Sequence, residues 1–290
     1  VPPRRQRRAR ATNPPSRYPV SQPDGEVALA LAEPEPSALT SLNAPPRLTE
    51  LLDSLSEPPP YAALLGVCED GLPFLLDLTN PAPGSILSIG DRAAGKTALI
   101  CSLLHSVCRL NSPDQISFHV VARQPAEYLA LEQMEHCQAT LSVGEPAVAD
   151  LIAELVATAE TRKRSHPQEP ILILAIDDLA ALLPSLDEQT YARLYWLIRH
   201  GPRYQVWTLA TLPAESFTAT EQLDPRFLSA FRTRLFGYMR DERLAQRLAG
   251  DDSLDPRCLS KGDQFLVPYG GEWLRFWICK LENSHSRGKA

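Results

Sequence analysis

The sequence predicts an α/β fold, a mainly parallel sheet with helices on both faces and β-hairpins at its margins. Three observations predict it. Apolar runs of strand length alternate with segments whose apolar residues recur at helical spacing, which is how a parallel sheet covered on both sides is built. One strand and helix are joined by a glycine-bearing turn, Gly90 to Thr97. A later apolar run, Ile171 to Ile176, stops at two acids, Asp177 and Asp178.

The first 60 residues stand outside that pattern. They are rich in Pro, Arg, Ser and Ala, with proline pairs at 2–3, 14–15 and 45–46 and a triple at 58–60. Such a composition buries too little apolar surface to offset the entropy of ordering. The expectation is a flexible, partly polyproline II tail over 1–60 with one short helix from Leu48 to Leu55, a folded domain over 61–282, and a short tail over 283–290.

Charge and cysteine usage narrow the function classes. The chain has 290 residues and a net charge of −6, yet its first 20 residues hold Arg4, Arg5, Arg7, Arg8, Arg10 and Arg17 and no acid. The body is therefore acidic and does not advertise a general nucleic-acid surface; any DNA contact has to be local, in a loop or a ring channel. The arginine cluster reads either as a solvated arm or as a contact for DNA or acidic lipid. Six cysteines without C-x-x-C spacing read as reduced thiols of a cytoplasmic protein, and the six histidines form no metal-ligand pair. No apolar run approaches the ~20 residues of a membrane span, and the basic start lacks the apolar core of a signal peptide. Val1 in place of Met leaves open that residues precede it, and with them membrane association, directly or through a partner.

The elements follow in order. Ala62–Val67 and Leu72–Leu78 flank Glu69-Asp70-Gly71, a hairpin signal with Asp-Gly at the turn. Ser85 to Ile89 is a buried strand, and Leu99, Ile100, Leu103, Leu104 and Val107 mark the helix after the turn. Gly90-Asp91-Arg92-Ala93-Ala94-Gly95-Lys96-Thr97 fits G-x-x-x-x-G-K-[ST] between strand and helix, the context that makes the pattern a phosphate-binding P-loop. The glycines let backbone N–H groups of the loop, through Ala98, turn toward phosphate oxygens, and the helix N-terminus adds positive charge. Lys96 is expected to reach the β- and γ-phosphates of ATP, and the Thr97 hydroxyl to ligate Mg²⁺.

Ile116–Val121 and Ala139–Val143 are further strands, and Pro146 opens a helix with a basic last turn, Thr161-Arg162-Lys163-Arg164. Ile171 to Asp178 has the form of a Walker B strand, which delivers carboxylates at its C-terminal edge. Asp177 is expected to hold Mg²⁺, directly or through water, and Asp178 to orient the attacking water; the alternative is a strand that ends at an Asx turn. Ser185 with Glu188 suggests a capping box for the next helix, which Gly201-Pro202 stops. Tyr204 to Leu212 is another strand, where Thr211 either senses the γ-phosphate or merely ends the strand. Arg234–Met239, Asp263–Val267 and Glu272–Cys279 close the sheet, with Trp273 and Trp277 read as packing residues.

With these stretches in place, the chain resembles the FtsK/HerA-type motor ATPases from about Tyr61 to Glu282. Gly66–Leu78 looks like that family's hairpin before the P-loop. LIAELVATAETRKRS resembles its long helix, LAIDDLAALL its Walker B segment, and VWTLATLP its strand ending in Ala-Thr. RTRLFGYMRDERLAQRLAG with GDQFLVPYGGEWLRF resembles its closing strand, helix and hairpin. The resemblance implies a RecA/ASCE-like P-loop NTPase that assembles as a homo-hexameric ring and uses ATP and Mg²⁺ to move double-stranded DNA, or sometimes protein. It also implies an arginine acting across a ring interface, with Arg199 and Arg203 as candidates. The chain departs from the family where Asp178 replaces the usual glutamate, where Leu212 replaces a glutamine, and where Val121-Ala122-Arg123-Gln124 lacks an acid. A degenerate ATP-binding scaffold or switch is the alternative these departures raise.

Overall fold

A computed structural model describes residues 29–31, 44–55, 57–165, 170–217 and 225–281. The arginine cluster and the tail at 283–290 lie outside the described residues. Among the described residues, eleven strands form one sheet. They are β1 (Leu29–Leu31), β2 (Ala62–Cys68), β3 (Pro73–Asp77), β4 (Ile86–Gly90), β5 (Ile116–Ala122), β6 (Cys137–Ser142), β7 (Ile171–Asp177), β8 (Val206–Pro213), β9 (Thr233–Gly237), β10 (Gln264–Tyr269) and β11 (Glu272–Trp277). Their order is β1-β3-β2-β11-β10-β9-β4-β8-β7-β5-β6. The six strands from β9 to β6 pair in parallel; the other five pair antiparallel.

The parallel half explains the apolar runs. With both faces covered, β4, β5, β7 and β8 bury nearly every side chain. Helix α2 (Lys96–Leu110) covers one face, where Leu99, Leu103 and Val107 meet Phe118, Ile173 and Trp207. The other face carries α4 (Ala147–Ser165), α6 (Glu188–His200), α7 (Pro225–Ala230) and α8 (Glu242–Ala249), which meet Leu87, Leu174 and Ile176. Two short helices complete the chain order, α3 (Leu129–Glu132) after β5 and α5 (Leu179–Leu182) after β7.

The packed structure does not begin at residue 61. β1 pairs with β3, and α1 (Leu48–Ser54) buries Leu48 and Leu52 against Leu64, Val67, Leu75 and Cys279. The two hairpins are also not separate. β11 runs beside β2, joining them into one antiparallel extension, and the crossing is tight: a Cβ at Gly66 would sit 2.2 Å from the Trp277 carbonyl oxygen. The start of α6 is a further difference. Its N-cap is Asp187, whose carboxylate accepts the Thr190 N–H at 2.7 Å, while the Ser185 hydroxyl donates backward to Leu182 O. Asp187 stands next to the first helical residue, where a cap must be, so it takes the place that the Ser185–Glu188 pairing suggested.

Arg162 shows how the far end of the sheet is fixed. It is 4% exposed, and its guanidinium donates to the carbonyls of Pro170, Tyr204 and Gln205 at 2.7, 3.2 and 3.0 Å. Those carbonyls precede β7 and β8, so one cation from α4 sets where both strands start. No helix among the described residues is long and apolar enough to cross a membrane.

Candidate nucleotide site

The topology brings the two sequence motifs into one crevice. β4 lies between β9 and β8, and β7 lies next to β8, so the loop after β4 and the acids after β7 emerge at the same edge of the sheet. Three hydrogen bonds fasten the loop at its base. The Asp91 N–H donates to Tyr238 O at 2.9 Å, the Asp91 carboxylate accepts the Arg240 N–H at 2.9 Å, and the Arg92 N–H donates to Glu215 Oε1 at 2.8 Å.

The loop's curl needs its residue types. Gly95, the N-cap of α2, has φ +91°, and a Cβ there would meet Gly262 O at 2.4 Å. Ala93 also has positive φ, at 60°, a conformation non-glycine residues adopt at some cost. From Gly95 onward the helix has no side-chain cap, so its first N–H groups face outward into the crevice.

Lys96 lies within this curl. Its ammonium donates to Gly90 O at 2.9 Å and Asp91 O at 2.8 Å. Burial pulls its pKa down from the ordinary lysine value, while Glu215, Asp177, Asp91 and Asp178 oppose the shift. Thr97 then joins the motifs directly. Its hydroxyl donates to Asp177 Oδ2 at 2.8 Å, and the Thr211 hydroxyl donates to Asp177 Oδ1 at 2.6 Å. Thr211 in turn accepts the Asp178 N–H at 2.8 Å. Two hydroxyls around one carboxylate make a hard-oxygen donor set of the kind Mg²⁺ takes, and the curled loop with its free helix N–H groups and lysine suits a polyphosphate. The residues present fit both groups.

Asp178 has a second commitment. At φ +76°, it caps α5 by accepting the Ala181 N–H at 3.1 Å, and its other oxygen lies 3.5 Å from the Arg123 guanidinium. The strand therefore ends in an Asx-type cap, with Asp178 still at the crevice mouth.

Several residues here were not legible in sequence. Glu215 has no motif around it, yet it holds Arg92 and faces Lys96. Burial pushes its carboxyl up, but the Arg92 N–H, its own backbone, Lys96 and Arg92 together hold it below the usual range. No acid stands at 121–124, but Glu127 lies a few residues on, and partial burial and the Asp177 charge both push its carboxyl up. Arg199 and Arg203 lie near the start of β8, whereas Asp177 ends β7; about 17 Å of strand at 3.3 Å per residue separates the two edges. Neither arginine joins the crevice within one chain. A cavity of about 510 Å³ opens beside the loop, lined by Asp91, Glu215, Arg240 and Arg243 among others, but not by Lys96, Thr97 or Asp177.

Comparison with known proteins agrees on the fold. No protein-family model and no curated protein matches the chain. Among solved structures, it is similar to the cytoplasmic domain of the Thermomonospora curvata type VII secretion ATPase EccC. The TM-score is 0.63 at 21% identity, over 82% of this chain and 32% of that one. ATPases 2 and 3 of Geobacillus thermodenitrificans EssC give a TM-score of 0.67 at 15% identity, over 86% and 49%. The pCW3 conjugation coupling protein TcpA, in monomer form with ATPγS, gives 0.61 at 17%, over 83% and 71%. The chain thus spans 32% and 49% of the first two, less than two thirds of their length. Its fold is that of the FtsK-like P-loop ATPases.

Proposed function

We propose that the crevice binds Mg²⁺-ATP and hydrolyses it, as the motor module of an FtsK-type translocase that works as a homo-oligomeric ring on double-stranded DNA. One observation carries the reading: Thr97 of the loop and Thr211 of β8 both donate to Asp177, so the phosphate loop and the metal-holding acid share one set of hydrogen bonds. In this reading the loop N–H groups left over from internal bonding, those of Ala93 and of Gly95 to Ala98, and the Lys96 ammonium bind the phosphates and offset charge that develops on the γ-phosphoryl oxygens. Thr97 and Asp177 hold the cation, which when bound adds Lewis-acid stabilisation of the same charge. Thr211 keeps Asp177 oriented and reports on the crevice through the Asp178 N–H. Asp178 orients the attacking water. The similarity to a secretion ATPase and a conjugation coupling protein supports a motor; DNA as cargo rests on the family resemblance.

A second reading, an ATP-binding scaffold with little turnover, is favoured by Asp178 itself. Its carboxylate is shared between the α5 cap and Arg123, and it is one methylene shorter than glutamate. Steady-state turnover with and without duplex DNA, alongside a mass measurement, separates the two. A motor gives DNA-stimulated turnover that Lys96→Ala abolishes, and a ring mass; ATP binding with near-zero, DNA-independent turnover supports the scaffold. Asp178→Glu raises turnover if reach is limiting, and no change or a loss removes Asp178 from its assigned role.

A further inference from the structure

β5 ends at Ala122, which lies directly beside Asp177 in the parallel register. The chain then turns through a 3₁₀ segment, Pro125–Tyr128, and carries Tyr128 under the crevice, where it is 0% exposed. The phenol lies close enough to Asp177 and to Cys101 to feel both groups, and Cys101 sits one helical turn beyond Thr97 on α2. Its hydroxyl is within reach of the Asp177 carboxylate but poorly directed toward it, and it has no other partner among the described residues. A buried phenol normally finds a partner, and leaving it without one costs stability. That carboxylate already has Thr97 on one oxygen and Thr211 on the other.

Resting on the Mg²⁺-nucleotide reading above, we propose that Tyr128 is a positioning residue for Asp177. When the Thr97 hydroxyl turns from Asp177 toward the cation, the Tyr128 O–H donates to the carboxylate in its place and keeps it aimed. The geometry suits this exchange because Tyr128 packs in the core cluster that α2 forms on one face of the sheet, and Thr97 reaches Asp177 from α2, while Thr211 reaches it from β8. Tyr128 touches neither nucleotide nor cation. Its effect therefore shows in how much Mg²⁺ is needed and not in metal-free affinity.

The test is titration of the full chain with a fluorescent ATP analogue, in EDTA and across a Mg²⁺ series, for wild type and Tyr128→Phe. The expected result is equal affinity in EDTA and a Mg²⁺ midpoint raised about fivefold to tenfold in the variant, with a ligand-free melting temperature unchanged or higher because an unpartnered hydroxyl is gone. Equal Mg²⁺ midpoints overturn the inference and leave the function reading intact. A wild type that binds no nucleotide under either condition overturns both. Should Phe disturb packing, 3-fluorotyrosine at 128 keeps the hydroxyl: its ¹⁹F resonance should move with Mg²⁺-nucleotide and not with metal-free nucleotide, and an unmoved resonance overturns the proposal.

Discussion

Replacing Thr211 with valine keeps its shape and removes one hydroxyl, which makes it a sharp probe of the crevice. Thr211 is 1% exposed, donates to Asp177 at 2.6 Å and accepts the Asp178 N–H at 2.8 Å. A hydrogen bond to a charged group contributes about 1.5–3 kcal/mol net, and stranding a buried N–H costs about 1–3 kcal/mol. The two losses share one atom and do not add fully, so the expected destabilisation is about 2–4 kcal/mol. For a domain of this size that lowers the melting temperature by roughly 5–12 °C. Urea and thermal unfolding of wild type, Thr211→Val and Thr211→Ser measure it. The serine variant should retain most of the stability, because it keeps the hydroxyl. A valine variant within about 0.5 kcal/mol of wild type would refute the argument, since that is the range of an ordinary surface change.

Three further predictions concern the frame and its thiols. Arg162→Met should cost about 3 kcal/mol in a urea titration, because three strand-leading carbonyls lose a charged donor that methionine cannot replace; a loss below about 1 kcal/mol would mean the strand starts are set elsewhere. Burial pushes the thiols of Cys68, Cys101, Cys108 and Cys279 up to about 12, against an ordinary 9.0. Folded values above the unfolded one mean that this contribution to stability is intact below pH 9 and is lost as pH rises from 9 toward 12. The urea midpoint should therefore fall over that range. Alkylation at pH 8 followed by mass spectrometry should mark the exposed Cys258 long before those four.

Much of this could be read from the chain, for a definite physical reason. A buried parallel strand must be apolar along its whole length, so β4, β5, β7 and β8 announced themselves as runs, and the glycine that ends β4 and the acid that ends β7 marked the edge where the candidate site lies. The P-loop was legible because its geometry tolerates few residue types. What escaped were contacts between segments far apart in sequence. Glu215 meets Arg92 across 123 positions, and Arg240 meets Asp91 across 149. Nothing local in either stretch encodes such a meeting. Strand β1 and the joining of the hairpins were hidden for the same reason, since both depend on a partner's edge. The misplaced α6 cap was a local ambiguity: two good capping residues stood two positions apart.

The contact between Gly95 and the loop before β10 ties the crevice to the antiparallel half of the sheet. No side-chain cushion separates the phosphate loop from Gly262, and β10 carries that loop into a sheet that continues, strand by strand, to the far hairpin. A shift of Gly95 would therefore be felt first at Gly262 and then along β10, which joins the parallel strands to the antiparallel extension.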